Sequence, residues 1–216
     1  MQQILSKLIK MRKTIFVTGI STEVGKTIVS AIITEALKAD YWKPVQAGDL
    51  NNSDSHKVEK LISNQVTKIH PNSYALSQPM SPHAAATFDG ITVAIDKVKA
   101  PETENHLVIE GAGGLFVPLN DNHTICDLIK PEYKTIVVSR HYLGSINHTL
   151  LTLNALQKKG VTPYVFFSGD ENKETERIIK KMSGVEVLGR IENEPYFDCN
   201  VVLEYAERFR EALEKI

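Results

Sequence analysis

Lys26 and Thr27, directly behind a glycine, are the residues of this chain best placed to do chemistry. The segment Gly19-Ile-Ser-Thr-Glu-Val-Gly25-Lys26-Thr27 follows the apolar run Thr14-Ile-Phe-Val-Thr18. Ile28 to Leu37 then continues as a helix-compatible apolar stretch. A strand, a glycine-bounded turn and a helix opening on Lys-Thr describe a phosphate cradle. Backbone N–H groups there point at the anion, and the helix dipole favours its charge. In that arrangement Lys26 reaches the β- and γ-phosphates and the Thr27 hydroxyl holds Mg²⁺. The general phosphate-loop pattern has one residue fewer between its glycines than the five found here. The order of strand, loop and helix therefore carries the reading over a chance glycine-rich turn.

Two carboxylates and a second lysine stand where further strands are expected to end, which is where open α/β sheets bind their ligands. His106-Leu-Val-Ile109 runs into Glu110-Gly-Ala-Gly-Gly114. A carboxylate at such a strand end can serve Mg²⁺ directly or through water, and the glycines behind it allow close backbone approach to phosphate or substrate. Lys43 sits among strand formers and before a proline, unlike an ordinary solvated lysine. Asp54 opens a helix, where N-cap and metal ligand are both open to it.

The elements that must position these groups alternate between short apolar strands and amphipathic helices. Strands are expected over Thr14–Thr18, Tyr41–Val45, Leu107–Glu110, Thr135–Ser139, Pro163–Phe167 and Val185–Ile191. Helices are expected over Lys26–Ala39, Ser55–Ser63, Thr124–Ile129, Ser145–Lys158, Glu171–Met182 and Asn200–Lys215. Several strands are apolar almost throughout, as parallel strands covered on both faces are. The alternation predicts a single-domain, doubly wound α/β fold with a mainly parallel sheet flanked by helices, of the phosphate-loop NTPase type. Asn64 to Asp89, with three prolines, reads as the least regular insertion. The first ten residues read as an N-terminal extension, with residues 11–216 as the one domain.

Composition narrows the function classes. The 216 residues carry a net charge of −1, so no global field argues for nucleic acid or an anionic membrane. No apolar run approaches the roughly 20 residues that span a bilayer. The N-terminus lacks the apolar core and cleavage site of a signal peptide. Cys126 and Cys199 stand alone and read as buried free thiols of a cytoplasmic protein.

Taken together, the motifs resemble one family, dethiobiotin synthetase. The resembling segments are Phe16 to Thr27, Lys43-Pro-Val45, Asn52-Ser-Asp54, Ser81-Pro-His83, Val108 to Gly114 with Pro118-Leu119, and Leu143-Gly-Ser-Ile-Asn-His148. They run in family order over about two-thirds of the chain, and the longer gap between the loop glycines is the family's own. The resemblance implies an ATP- and Mg²⁺-dependent ligase that carboxylates 7,8-diaminononanoate with CO₂ and closes the ring to dethiobiotin. It implies a nucleotide site of Glu23, Val24, Gly25, Lys26, Thr27, Ile28, Asp54, Glu110, Gly111, Ala112 and Gly113, with Mg²⁺ on Thr27, Asp54 and Glu110. Thr22, Lys43, Ala47, Pro82 and the segment Leu143, Gly144, Ser145, Ile146, Asn147 are implied for substrate. Lys26 and Lys43 are implied as the catalytic pair. Family members are homodimers that bind the diamine's carboxylate tail at the subunit interface with that 143–147 segment.

The chain departs from the pattern at three places. Ala47 stands where the family usually has a hydroxyl. Phe167-Ser-Gly-Asp170 replaces an Asn-Asp pair that reads adenine, and Gly189 to Pro195 replaces a Gly-linked Ile-Pro segment. Weakened base discrimination is the expectation that follows. Two rivals share the loop. A glutamine-dependent amide ligase needs a glutaminase domain with a Cys nucleophile, for which the chain has no room. A partition-type ATPase carries an extra lysine where Ser21 stands. Asn172-Lys-Glu-Thr175 only begins like a guanine-reading motif, His141 and His148 lack a third ligand, and the pairs Lys158-Lys159 and Lys180-Lys181 read as solvated helix ends.

Overall fold

The computed structural model describes residues 12–216, so the expected extension over residues 1–10 lies outside the described residues. In chain order the elements are β1 (Thr14–Gly19), α1 (Lys26–Leu37), β2 (Asp40–Trp42), β3 (Val45–Ala47), α2 (Asp54–Leu61), β4 (Ile69–His70), β5 (Tyr74–Leu76) and α3 (Pro82–Phe88). They continue as β6 (Leu107–Gly114), β7 (Lys134–Arg140), α4 (Ser145–Lys158), β8 (Pro163–Ser168), α5 (Lys173–Ser183), β9 (Glu186–Ile191) and α6 (Cys199–Lys215).

Seven strands make one sheet in the order β4-β2-β6-β1-β7-β8-β9, and every pair in it is parallel. Helices flank it: α1 packs against α6 and α2, and α4 against α5. Ile15, Phe16, Val17, Val108, Ile136 and Val137 are fully buried, which is why these strands read as continuous apolar runs. Because β2 and β6 lie on one side of β1 and β7 on the other, strand order reverses about β1. The ligand crevice of such a sheet opens at that reversal, beyond the strands' carboxyl ends.

The expected strand Tyr41–Val45 is two strands. β2 stops at Trp42, and Val45–Ala47 leaves to form a separate parallel pair with β5. Pro44 has no N–H to give the ladder, and its carbonyl instead accepts from the backbone of Ser73 and Tyr74 at 2.9 and 3.1 Å. The insertion expected to be least regular holds β4, β5 and α3. Thr124–Ile129 makes only a 3₁₀ turn over Ile125–Leu128, with Thr124 and Asp127 in a capping box. Cys126 is buried, as expected, whereas Cys199 at the start of α6 is half-exposed; both are free thiols.

Candidate active site

The loop between β1 and α1 ends on Gly25, whose φ of +95° is the left-handed region. A Cβ there would also lie 2.9 Å from Ser168 Oγ at the end of β8, so glycine meets both the torsion and the close approach. No side chain caps α1, which leaves its first-turn N–H groups to an anion. Lys26 is buried, and its ammonium donates to the Ser21 carbonyl at 2.9 Å. Burial first, and the charge of Lys43 second, lower its pKa from 10.5 to about 8, against the attraction of Glu110 and Asp54.

The break at Pro44 places Lys43 beside that loop. Its Nζ lies 2.7 Å from Asp54 Oδ2 and 3.1 Å from Glu110 Oε1, with the Gly111 carbonyl at 3.4 Å. Lys43 is 4% exposed and Glu110 1%, so the charges meet in a nearly dry place. Burial works against the ammonium of Lys43, but Glu110 and Asp54 outweigh it and raise its pKa. Burial likewise works against the Asp54 carboxylate, and Lys43 outweighs that to lower its pKa. Thr27 Oγ1 donates to Glu110 Oε1 at 3.0 Å. Asp54 turns out not to be the N-cap of α2. Ser53 takes that role, accepting from the His56 N–H, and Asp54 as the first helical residue is left to face Lys43.

Thr22, Glu23, Gly25, Lys26, Thr27, Ile28, Lys43, Ala47, Asp54, Pro82, Glu110, Ala112 and Gly113 line one cavity of about 970 Å³. Val24 and Gly111 are not among its lining residues. Leu143, Gly144, Ser145, Ile146 and Asn147 do not line it: Gly144 caps α4 at φ +101°, the Ser145 N–H is taken by the Tyr142 carbonyl, and Leu143 points fully into solvent. Two residues that the sequence reading missed support the site, Gln46 from the cavity wall and Tyr41 from the core behind it. Gln46 accepts from the Asp54 N–H at 3.2 Å and donates to the Gly48 carbonyl at 3.0 Å, tying α2 to the turn after β3. Tyr41 donates to Glu110 Oε2 at 2.9 Å. Burial first, then the charges of Glu110 and Asp54, raise its pKa far above the usual value, so it stays a donor. Its signal was present in sequence, since a residue two before Lys43 shares that lysine's face of a strand.

Among the described residues, no three His, Cys, Asp or Glu side chains converge to hold a metal unaided. Thr27, Asp54 and Glu110 nevertheless offer the all-oxygen set that suits Mg²⁺, which takes one or two carboxylates and fills its octahedron with phosphates and waters. The Lys43 ammonium between the two carboxylates shows that this space accepts positive charge.

At the other end, beyond β8, the departures from the family pattern become visible. Asn193 in the loop after β9 lies against Gly169, but Arg140 donates to its carbonyl oxygen at 3.2 Å and its amide nitrogen donates to Asp170 at 2.9 Å. Arg140 and Phe197 line the cavity from this side. The other sequence candidates resolve simply. Asn172 caps α5, His141 pairs with Glu176 at 2.9 Å, His148 meets the Tyr142 hydroxyl at 2.8 Å, and Lys159 is held by the Cys126 carbonyl.

A plasmid partition protein from Borrelia burgdorferi superposes with a TM-score of 0.58 at 15% identity, over 95% of this chain and 100% of that one. The MinC:MinD cell division complex of Aquifex aeolicus gives 0.54 at 14%, over 94% of each chain. Both likenesses show the fold alone. A family model described as an AAA domain matches residues 13–199. The ATP-dependent dethiobiotin synthetase of Christiangramia forsetii is 63% identical over 94% of this chain and 99% of its own length. That of Cytophaga hutchinsonii is 48% identical over 90% and 95%. The chain belongs to the dethiobiotin synthetase family. Dethiobiotin synthetases are ATP-dependent cyclo-ligases of biotin biosynthesis; in this chain the loop after β1, Lys43 and Glu110 line one cavity. No helix among the described residues is long and apolar enough to cross a membrane.

Proposed function

We propose that this chain carboxylates 7,8-diaminononanoate with CO₂ and closes it to dethiobiotin, converting ATP to ADP and phosphate with Mg²⁺. The observation that carries the reading is Lys43, buried between Asp54 and Glu110 on the cavity that the phosphate loop opens into. One amine of the diamine adds to CO₂ and loses a proton, giving a carbamate. A carbamate oxygen attacks the γ-phosphorus and ADP leaves. The second amine then attacks the carbonyl carbon of the mixed anhydride, and phosphate departs with the carbamate's oxygen. The difficulty is the meeting of two anions in line, and preorganised positive charge is the usual remedy in phosphoryl transfer. Lys26 answers it on the phosphates, and Lys43 holds the carbamate against the γ-phosphoryl group. Thr27, Asp54 and Glu110 would hold Mg²⁺, which when bound would supply further positive charge to the phosphates.

The active unit is proposed to be a homodimer in the cytoplasm. Segment 143–147 does not reach its own chain's cavity, while Leu143, Ile146 and Leu151 expose apolar surface at the start of α4 and along it. A partner chain would cover that surface and offer its cavity to the segment; twofold pairing is the commonest way a chain does this. Leu143→Asp should yield a monomer by light scattering with a raised KM for the diamine; a fully active monomer in the unaltered protein would remove the shared pocket.

Phosphate release in the presence of Mg²⁺·ATP tests the reaction. It should require both the diamine and bicarbonate, and dethiobiotin should appear in equal amount. Release that ignores either compound would mean an ATPase of another kind.

A further inference from the structure

Tyr41 is a buried group beside the site that neither the motif nor the mechanism above employs. It is fully buried, on β2, two residues before Lys43. Register places Tyr41 opposite Val108, and Glu110 follows Val108 by two on β6. Side chains two apart share a face of a strand, so Tyr41 and Glu110 stand on one face of the sheet, and Lys43, the first residue past the end of β2, meets Glu110 there. The two oxygens of Glu110 are thereby divided. Oε1 takes Thr27 and Lys43 at 3.0 and 3.1 Å on the cavity side, and Oε2 takes the Tyr41 hydroxyl at 2.9 Å.

We infer that Tyr41 is a positioning residue which holds Glu110 so that it offers a single oxygen to the catalytic cation and thereby favours Mg²⁺ over larger divalent ions. This rests on the proposed reading of Glu110 as a metal ligand. The physical ground is coordination chemistry. Mg²⁺ requires compact octahedral geometry, while Ca²⁺ readily takes both oxygens of a carboxylate. A phenol that occupies Oε2 removes the two-oxygen mode and fixes the carboxylate's rotation. Partners of ligating carboxylates commonly matter about as much to metal affinity as this, with typical losses on the order of 10–100-fold when removed. A phenylalanine would fill the same core volume; the hydroxyl is the part that acts.

The test is cation binding to the enzyme–ADP complex, read by displacement of Mn²⁺ from its paramagnetic resonance signal with Mg²⁺ or Ca²⁺. Tyr41→Phe should weaken Mg²⁺ by about 10-fold or more, weaken Ca²⁺ less, and leave metal-free ADP binding unchanged. Glu110→Gln is measured beside it. Loss of Mg²⁺ affinity in Glu110→Gln with no change for either cation in Tyr41→Phe overturns the inference while sparing the metal reading. If Glu110→Gln itself binds Mg²⁺ normally, the metal reading fails and takes the inference with it. In the double variant, Tyr41→Phe should add nothing to the loss from Glu110→Gln; a full additional loss would show that Tyr41 acts elsewhere. Should Tyr41→Phe not fold, 3-fluorotyrosine placed at position 41 alone replaces it. Its fluorine resonance should move when Mg²⁺ joins the ADP complex, and a resonance that stays put overturns the inference.

Discussion

On the β2–β6–β1 side of the cavity, Lys43, Asp54, Glu110 and Thr27 are tied together at 2.7 to 3.1 Å, and Lys43 and Glu110 are almost wholly buried. On the β7–β8–β9 side, Arg140, Asp170 and Asn193 are exposed and satisfy one another. Chemistry that brings anions together needs charges fixed in advance in a dry place, because reorganisation at the moment of reaction costs rate. Holding a nucleobase makes no such demand. One end of the cavity is therefore built, and the other is merely shaped.

Removing a fixed charge from the built end should do most damage. Lys43→Ala should lower turnover by about 10² to 10³-fold, the usual consequence of losing one transition-state contact. The buried position of Lys43 adds a second effect. Two carboxylates lose their buried partner, which typically costs several kcal/mol, so a fall in melting temperature should accompany the loss. Near-normal turnover at a normal melting temperature would break the contrast between the two ends.

A smaller effect should follow from pH. Lys26 in the free protein releases its proton near 8 rather than at 10.5. Above pH 8 the triphosphate must therefore restore that proton, and ATP affinity should fall about tenfold per pH unit. Lys26→Arg should flatten the dependence, which calorimetry across pH 7 to 10 checks. The sign for stability is opposite. The unfolded chain keeps this proton up to its ordinary pKa, so between 8 and 10.5 it binds more protons than the folded chain, and this group makes stability rise with pH.

The shaped end should give the smallest numbers. With Ser168-Gly169 in place of a carboxamide and Asn193 engaged at both of its ends, few side-chain atoms are left to read a base edge. ATP, GTP and CTP should bind within about tenfold of one another, roughly 1.4 kcal/mol. A strong ATP preference abolished by Asn193→Ala would show that this end is built too.

The groups that act through local order were legible in sequence, and those that act through distant packing were not. β1, the loop and α1 follow one another without a break, so Lys26 and Thr27 could be placed from spacing. Glu110 was placed because the apolar run that opens β6 stops at a carboxylate, although the strand itself continues to Gly114. The break at Pro44 was not legible: one strand was expected over Tyr41–Val45, and the destination of Val45–Ala47 depends on β5, nearly thirty residues on. Two- and three-residue strands such as β4 and β5 leave no periodic signal. Asp54 was left open to an N-cap role, and Ser53 as the actual cap was missed, because packing decides that Asp54 faces Lys43. Tyr41 looked like core because most of it is core, and only its hydroxyl shows otherwise.

The reaction proposed at the built end leaves a mark that can be read in its product. If a carbamate oxygen attacks the γ-phosphorus, an oxygen from CO₂ must leave with phosphate. Turnover with ¹⁸O-labelled bicarbonate, faster than exchange with water, should place one labelled oxygen in each phosphate by mass spectrometry. Phosphate that draws its new oxygen from water alone would contradict the account.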